Sequence, residues 1–545
     1  MPWQIGFIGF VCLYCLGVAY GSAFSVIDDH TLLKTLFSHK NIPFFIQPEI
    51  GRFYPLDGQE LNILSALFGL SANVFYTFNA ICVAVVVFAL RYGFNVILLE
   101  IVHTYGLNNE RPSIAVRKIP YVVDILLILL LLSPAFITSQ LRLFVPERME
   151  FVFLSLFLMC YAYVLSKPRG FWSYFALVCG IVCANISMYY KETTFAFLCA
   201  FGFVHLVGAY ISKAPCKWEI KIFDCALVLG AIAWFVLYVC LILLPKTSQG
   251  FYGESYYGAA LVFAKAIFTN MCSEPFLYGA TFGALVYRIY ALLFKKQPFN
   301  ALLDASIVGC GVLLLEYAIL KIVSYHYLLP AYIFGCIVLG ACVLLYWANG
   351  YIRVVVLCCG LMFVGNSIFT SAYVWAHYKF VPQNFQATLA FVSAYTQAKA
   401  GTRIYIEGVD RVANVEVYHS FYEWLKAYGA RDFDLLSDRA VDSRAKGRDN
   451  KEAKISVFQN DVAIPKQSGD LVILTPYSQE PFNLEGYKQK YELLFSAEYG
   501  YNVAHLGLKT FIKLALLKAG LAQGDTILSH NAFGLPLHFY VFRVK

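Results

Sequence analysis

Apolar stretches long enough to cross a lipid bilayer recur through the first two-thirds of this sequence. A transmembrane helix needs about 20 mostly apolar residues, because the hydrocarbon core is about 30 Å thick. The stretches that meet this requirement are residues 3–24, 73–92, 120–141, 150–166, 171–190, 194–212, 222–245, 274–294, 301–321, 326–347 and 354–376. The sequence therefore predicts a polytopic α-helical membrane protein with about 11 transmembrane helices. The first stretch lacks a basic start and a small-residue cleavage site, so we expect it to be retained as a helix.

The composition excludes an ordinary water-soluble enzyme. Hydrophobic residues make up 59% of the chain and charged residues 14%, whereas soluble domains have roughly 45–50% and about 25%. The formal net charge is +8, but no basic run is interleaved with aromatic residues, which argues against a nucleic-acid partner. Lipid is the partner that can cover this much apolar surface.

The basic residues predict the orientation of the helices. Lys and Arg collect in cytoplasmic loops, and with an N-terminus inside they occur in alternate junctions. These are Arg91, Arg111, Arg117 and Lys118; Lys167 and Arg169; Lys213, Lys217 and Lys221; Lys295 and Lys296; and Arg353. An odd number of helices then leaves the C-terminus outside. We expect a multi-pass membrane protein with a cytoplasmic N-terminus and a C-terminal domain on the outer side.

Two outer loops are long. Loop one, residues 25–72, has apolar residues at helical spacing around Leu32, Leu33, Leu36 and Phe37, which predicts a helix lying in the membrane interface. The loop at 246–273 is rich in Gly and Tyr before an amphipathic run, which suits either a mobile loop over a cleft or an interfacial helix. The transmembrane domain is expected to span residues 1–377.

Residues 378–545 have a soluble composition in which helices alternate with short strands. "QNFQATLAFVSAYTQAKA" and "VEVYHSFYEWLKAYGA" predict helices, and "TRIYIEGV", "DLVILTP" and "LHFYVFRVK" predict strands. This alternation predicts a small extracytoplasmic α/β domain. It contains neither a glycine-rich phosphate loop nor a Ser-His-Asp order with a nucleophile elbow, which favours a non-catalytic role.

The cysteines predict no metal centre. Nearly all of the 16 cysteines lie in apolar runs, where they resemble small hydrophobic residues, and no CxxC pair has a partner pair at zinc spacing. The residues after Trp375 contain no cysteine. No cofactor is therefore required, although several carboxylates on one face are compatible with a divalent metal.

Acidic and basic residues recur at the outer ends of the predicted helices, where charge is costly and needs a reason. The adjacent Asp28 and Asp29 follow the first helix. Further charged or titratable residues on the same face are Glu49, Arg52, Asp57, Arg142, Arg148, Glu150, Lys191, Glu192, Lys321 and His326. A bundle that gathers them would hold a cavity able to neutralise a phosphate and supply a carboxylate base.

Each of these residues also has a structural interpretation. Asp28 and Asp29 suit the N-cap of a loop helix, and Asp57 suits a turn before Gly58. Lys191 with Glu192 suits an interfacial ion pair, Arg148 with Glu150 suits a helix anchor, and His326 suits a hydrogen-bonded interface histidine. Asp124 and Glu316 lie within predicted spans and receive no role.

The chain resembles the GT-C class of membrane glycosyltransferases, which includes protein O-mannosyltransferases and aminoarabinose transferases acting on lipid A. The resemblance covers the whole architecture, whereas its motifs are short. "IDDH" stands at the position of the catalytic acid of loop one, and "GRFYPLDGQELN" resembles the segment before the second span. "YYKETT" matches a Lys-containing motif, and "YHYLLPAY" resembles an "RYxLP" segment in which His326 replaces the usual Arg.

The resemblance implies transfer of a sugar from a polyprenyl-phosphate donor to a glycan, lipid or protein acceptor at the outer membrane face, with inversion. It also implies a bacterial inner membrane protein whose C-terminal domain is periplasmic or extracellular. It implies Asp28 as the general base, with Asp29 as its competitor. It assigns Arg148, Lys191, Lys321 and His326 to the donor phosphate, and Glu49, Arg52, Asp57 and Glu192 to the shape of the cavity. The sequence also fits a non-catalytic polysaccharide or lipid assembly protein, or a transporter of lipid-linked substrates, although no internal repeat is visible.

Overall fold

The computed structural model describes residues 2–106, 112–212, 216–246, 259–407, 413–438, 464–477, 484–501, 503–521 and 536–545. Residues 247–258, which include most of the Gly- and Tyr-rich part of the second long loop, lie outside these ranges. Arg111 and Lys213, two of the predicted cytoplasmic charges, lie outside them too.

The predicted membrane-spanning architecture is confirmed. Among the described residues, ten helices are long and apolar enough to cross a membrane, and a bent pair raises the number to 11. The helices of the bundle are α1 (Pro2–Ala19), α4 (Ala72–Gly106), α5 (Pro112–Leu131), α6 (Pro134–Gln140), α7 (Pro146–Ser166), α8 (Phe171–Tyr190), α9 (Thr194–Ser212), α10 (Trp218–Tyr238), α11 (Ala259–Ser273), α12 (Thr281–Leu293), α13 (Ala301–Ile319), α14 (Tyr332–Leu345), α15 (Gly350–Met362) and α16 (Ile368–Ala398).

The stretch predicted at 120–141 is two helices. Helices α5 and α6 meet at an angle of 62°. The sequence at the bend explains the break, because Ser133 caps α6 by accepting a hydrogen bond of 3.1 Å from the Phe136 amide, and Pro134 takes the first helical position. The bend brings the segment after α6, which carries Arg142, to the same end of the bundle as loop one. We call this the loop-one end.

Loop one contains more regular structure than its sequence predicts. It holds α2 (His30–Lys34), a hairpin of β1 (Phe45–Gln47) with β2 (Arg52–Tyr54), and α3 (Gln59–Phe68). The prediction that the apolar residues of this loop lie in the membrane interface is wrong. Leu32 and Leu36 are buried against Phe75 and Tyr76 of α4, and Leu33 packs in the core of the C-terminal domain. Protein, not lipid, covers these apolar residues.

The C-terminal region forms one mixed sheet, as the predicted α/β domain requires. The strands β3 (Thr402–Ile406), β4 (Phe433–Leu436), β5 (Leu471–Leu474), β6 (Tyr491–Ala497) and β7 (Phe539–Val544) lie in the order β4-β3-β5-β7-β6. Strand β3 is parallel to β4 and β5, whereas β7 is antiparallel to β5 and β6. The helices are α17 (Ala413–Ala427), α18 (Leu484–Lys490) and α19 (Leu508–Lys518). The three predicted strands are confirmed, and β4 and β6 were missed.

Helix α16 joins the bundle to the sheet without interruption. The expected boundary at residues 377 and 378 lies inside this helix. Phe385, Leu389 and Val392 of α16 are buried in the same core as Ile404 and Phe539 of the sheet. Val26 belongs to this core too, so the C-terminal domain packs directly on the start of loop one.

Close packing of α7, α8 and α10 generates the first prediction. A Cβ added at Gly180 of α8 would lie 2.8 Å from Cys160 Cβ and closer still to the Phe223 ring. We expect Gly180→Val to lower the free energy of unfolding by about 1–3 kcal/mol through overpacking. The measurement is the thermal midpoint of the monodisperse fraction in detergent. Gly9→Val is the matched control, because no heavy atom lies within 4 Å of the Cβ position there. Equal midpoints for the two variants would contradict the packing.

Candidate functional site at the loop-one end

Asp28 stands in a backbone conformation that few residues adopt. Its φ is +69°, in the left-handed region that costs free energy for a residue with a side chain and that clusters at functional sites. Its carboxylate forms an ion pair with the guanidinium of Arg142, and its side chain is 38% exposed. Asp28 is therefore oriented by a cation and remains accessible.

Asp29 lies behind it, with 2% of its surface exposed. Its Oδ2 accepts a hydrogen bond of 2.6 Å from the Ser25 amide. Although Asp29 occupies the N-cap position of α2, its side chain makes no capping hydrogen bond. Burial raises the pKa of Asp29 to about 7, and the charge of Asp28 adds to this rise, whereas the Ser25 amide, Arg142 and Arg148 oppose it. The two aspartates thus have different environments.

Arg142 is the cation that links the aspartates to the rest of the site. Its guanidinium lies 5.9 Å from the centre of the Tyr378 ring of α16. Burial opposes its charge, but Tyr378, Asp28 and Asp29 together raise its pKa above the ordinary value. The sequence places Arg142 at a helix junction and indicates no particular role for it.

A second ion pair lies next along this end. Lys191 Nζ is 2.7 Å from Glu147 Oε1, and both side chains are almost wholly buried. The ammonium also lies 4.4 Å from the centre of the Tyr327 ring. Burial disfavours the charge of Lys191, but Glu147 and Tyr327 outweigh it and raise the pKa of this lysine. The sequence analysis did not single out Glu147. It lies beside Arg148 in the first turn of α7, and the same argument about charges at the ends of membrane spans applies to it.

His326 lies between the first two pairs. Its ring is buried, its Nδ1 is 2.9 Å from Ser324 Oγ, and its centre lies 4.3 Å from that of Tyr327. The charges of Glu147, Arg142 and Lys191 all act on this ring. The hydrogen-bonded histidine considered from the sequence is thus present, and it stands among the predicted site residues.

A third pair joins Arg52 of the hairpin to Glu192. Arg52 Nε is 2.6 Å from Glu192 Oε1, which also accepts a hydrogen bond of 3.2 Å from the Phe53 amide. Lys191 and Glu192 therefore each pair with a distant residue. The interpretation of these two neighbours as an ion pair with each other is wrong. Arg52 with Glu192 fixes loop one to the end of α8, and Lys191 with Glu147 joins that end to the start of α7.

An apolar cavity of about 280 Å³ opens beside the second and third pairs. Its lining residues are Ile50, Gly51, Arg52, Lys191, Glu192, Thr193, Phe195, Trp234, Phe235, Tyr238, Glu316, Tyr317, Leu320, Ile322 and Tyr327. Charged groups stand on one part of this wall, and aromatic and aliphatic side chains form most of the remainder. Such a cavity suits an amphipathic ligand with a polar head and an apolar chain.

The remaining predicted residues lie at different depths. Asp57 is buried in the turn before Gly58, and burial with Glu60 and Glu147 raises its pKa well above the ordinary value. Glu49 is exposed at a 3₁₀ turn. Lys321 follows α13 with a φ of +56° and is half-buried, whereas the cavity is lined by its neighbours Leu320 and Ile322.

Arg148 is fully buried inside the bundle. Its guanidinium donates hydrogen bonds to Glu60 Oε1 and Asn79 Oδ1. Glu150, which was considered as its anchor partner, instead accepts a hydrogen bond of 2.5 Å from Thr194 Oγ1. The guanidinium of Arg148 still acts electrostatically on Asp29 and Asp57. Its contacts are those of a residue that connects α7 to α3 and α4.

Within the ranges that the structure describes, no group of three or more His, Cys, Asp or Glu side chains is arranged to hold a metal ion. Four of the carboxylates, those of Asp28, Glu60, Glu147 and Glu192, instead pair with Arg or Lys. Asp124, left unassigned from the sequence, accepts bonds of 2.8 and 3.1 Å from Arg91 and one of 3.0 Å from Trp3. It therefore ties α5 to α4 and α1.

No family model matches the sequence, and a search of curated proteins finds no relative. Among solved structures, the chain is similar to ArnT from Cupriavidus metallidurans bound to undecaprenyl phosphate, with 10% identity, a TM-score of 0.42, and coverage of 99% of this chain and 98% of that one. It is similar to an Archaeoglobus fulgidus oligosaccharyltransferase, with 10% identity, a TM-score of 0.45, and coverage of 99% and 88%.

A third similar structure is the arabinofuranosyltransferase AftD from Mycobacteria, with 11% identity, a TM-score of 0.36, and coverage of 100% of this chain and 40% of that one. All three are glycosyltransferases of the GT-C class, the class that the sequence resembles. Because identities are near 10% and TM-scores are below 0.5, these similarities concern the fold and not the substrates of this chain.

The burial of Arg148 predicts a structural penalty for its removal. Arg148→Met leaves the Glu60 carboxylate buried without its cation, and we expect a loss of about 3–5 kcal/mol in the free energy of unfolding. The double variant Arg148→Met with Glu60→Gln removes both charges and should recover most of this loss. Denaturation in detergent measures both. This role would be refuted if the single variant were as stable as the wild type, or if the double variant were no more stable than the single one.

Proposed function

We propose that this protein is an inverting glycosyltransferase that moves a sugar from a polyprenyl-phosphate donor to an acceptor hydroxyl at the outer face of a bacterial inner membrane. The observation that carries the proposal is the spatial arrangement of side chains at the loop-one end. An oriented, accessible carboxylate, a histidine, a buried lysine and an apolar cavity follow one another from Asp28 to Lys191. The proposal takes the N-terminus as cytoplasmic and the C-terminal domain as periplasmic.

In this proposal the donor lipid enters through the apolar cavity with its phosphate beside Lys191. The ammonium of Lys191 has three N–H donors. Because the ion pair with Glu147 occupies only one of them, the other two can donate to phosphate oxygens. Arg52 lines the same cavity, and the buried ring of His326 lies near Lys191. Lys191 and Arg52 are the two cations among the described residues at this position. Cationic neighbours stabilise the negative charge that develops on the leaving phosphate.

Asp28 acts as the general base. Its carboxylate accepts the proton of the acceptor hydroxyl while the oxygen attacks the anomeric carbon, and the bond from that carbon to the phosphate oxygen breaks. The lipid phosphate leaves with the electron pair of that bond. Arg142 holds the Asp28 carboxylate in place through their ion pair. Accessibility favours Asp28 over Asp29 for this step, because Asp28 is 38% exposed and Asp29 only 2%.

Neutralising Asp28 tests the proposal. We expect Asp28→Asn to lower the rate of transfer by about 10²–10⁴-fold, the usual contribution of a general base, without changing the thermal midpoint by more than a few degrees. The assay follows radiolabelled sugar from lipid-linked donors extracted from the host membranes.

Glu485→Gln is the matched control, since it neutralises an acid of the C-terminal domain whose side chain is 77% exposed and should keep wild-type turnover. Wild-type turnover by Asp28→Asn would refute Asp28 as the base, whereas no transfer by the wild type itself would favour a non-catalytic assembly protein or a transporter.

The environment of Asp29 predicts a pH dependence. Its pKa is raised to about 7, so its ionised fraction grows as the pH rises through 7. The added negative charge beside Asp28 strengthens the electrostatic pull on the acceptor proton, and kcat/KM should therefore rise through this pH in the wild type. We expect Asp29→Asn to retain transfer and lose this inflection. If Asp29→Asn abolishes transfer and Asp28→Asn retains it, Asp29 is the base.

A further inference from the structure

The topology of the C-terminal sheet defines an edge where ligands bind in open α/β sheets. From β3 the chain passes through α17 to β4 on one side of β3, and it returns to β5 on the other side. The carboxyl ends of β3 and β5 therefore flank a topological switch point, and ligands of such sheets bind in the crevice outside these ends. The residues that follow β5 are Thr475, Pro476 and Tyr477.

This edge faces the candidate site. The Tyr477 ring packs edge-on against His377 of α16, with 6.1 Å between ring centres and an angle of 89°. His377 lies 5.2 Å from Tyr378, and Tyr378 is the ring beneath Arg142. A continuous set of contacts thus connects the end of β5 to the ion pair of Asp28.

Electrostatics support this proximity. Burial raises the pKa of Tyr477, Tyr378 and Tyr373 add to the rise, and the charges of Arg142 and Asp28 both act on its hydroxyl. The ring is half-buried, as are His377 and Tyr378. These three rings therefore remain partly accessible beside the proposed base.

His377 supplies a second, independent observation. Its Nδ1 is buried and has no hydrogen-bond partner among the described residues. Unsatisfied buried polar atoms are rare in native structures and need an explanation. A ligand hydroxyl is a suitable partner for an imidazole nitrogen, which donates or accepts according to its tautomer.

We infer that Tyr477 of the C-terminal domain, together with His377 and Tyr378, binds the acceptor, and that the acceptor is a saccharide. This inference rests on the proposed function, in which the base requires an acceptor hydroxyl. Aromatic rings present flat apolar faces to the C–H faces of sugar rings, and the edges of Tyr and His rings offer hydrogen bonds to the surrounding hydroxyls. The C-terminal domain thus selects the acceptor, although it lacks a catalytic motif of its own.

The test uses the full-length protein in detergent and measures binding of two probes by saturation-transfer NMR. One probe is a set of methyl pyranosides, and the other is a short peptide containing Ser and Thr. We expect the wild type to bind the pyranosides, and Tyr477→Ala to weaken this binding about three- to tenfold, the range of one aromatic contact. Tyr477→Phe keeps the ring and should bind like the wild type.

Tyr501→Ala is the matched control, since it removes an 82% exposed tyrosine of the same domain and should leave binding unchanged. Binding of the peptide instead, binding of neither probe, or equal binding by Tyr477→Ala and the wild type would overturn the inference. Kinetics separate it from the proposed function. If transfer depends on Asp28 but Tyr477→Ala leaves the KM for the acceptor unchanged, only the acceptor site is refuted. If the protein binds pyranosides but transfers no sugar, only the proposed glycosyltransferase activity is refuted.

Discussion

Pairing of buried and half-buried charges across distant segments holds the loop-one end of the bundle together. Four such pairs are Asp28 with Arg142, Lys191 with Glu147, Arg52 with Glu192 and Arg148 with Glu60. Three of them join loop one to a transmembrane helix or to its flanking segment. Separating a buried pair leaves an uncompensated charge, which is costly. Loop one is therefore fixed on the bundle by electrostatics as well as by apolar packing, and the candidate site inherits its geometry from these pairs.

The sequence predicts which residues reach this end and not how they pair. Hydropathy locates the spans, and the spans bring the charges of their junctions to one face. Partners depend on backbone conformation, as Lys191 illustrates. It ends α8 in an extended conformation, with φ of −148° and ψ of 134°, and successive side chains of extended backbone point to opposite sides. Lys191 therefore reaches Glu147, and Glu192 reaches Arg52 on the hairpin, a contact between residues 140 positions apart.

The apolar residues of loop one show a second limit of prediction from sequence. Helical spacing identifies an apolar face but does not distinguish lipid from protein as its cover. Leu33 packs with residues of the C-terminal domain, and Phe24 stacks on Trp424 of α17 at 5.3 Å. Both contacts join segments almost 400 residues apart, so no local pattern contains them. For the same reason, the proximity of Tyr477 to Asp28 follows only from the fold.

Helix α16 explains how a soluble domain and a membrane bundle form one site. Its 31 residues correspond to about 46 Å of continuous helix at 1.5 Å per residue. Lys379 donates hydrogen bonds to the carbonyls of Val18 and Tyr20 at the end of α1. Five residues on, Asn384 donates one of 2.6 Å to the Leu537 carbonyl before β7.

The same rigid element therefore positions the start of loop one and the edge of the sheet. A flexible linker at this point would allow the domain to move away from Asp28. A continuous helix instead fixes Tyr378 under Arg142 and His377 against Tyr477. The side chains around the pair of Asp28 with Arg142 come from α16 and from the segment after β5. The relative orientation of the two domains is therefore itself part of the proposed active site.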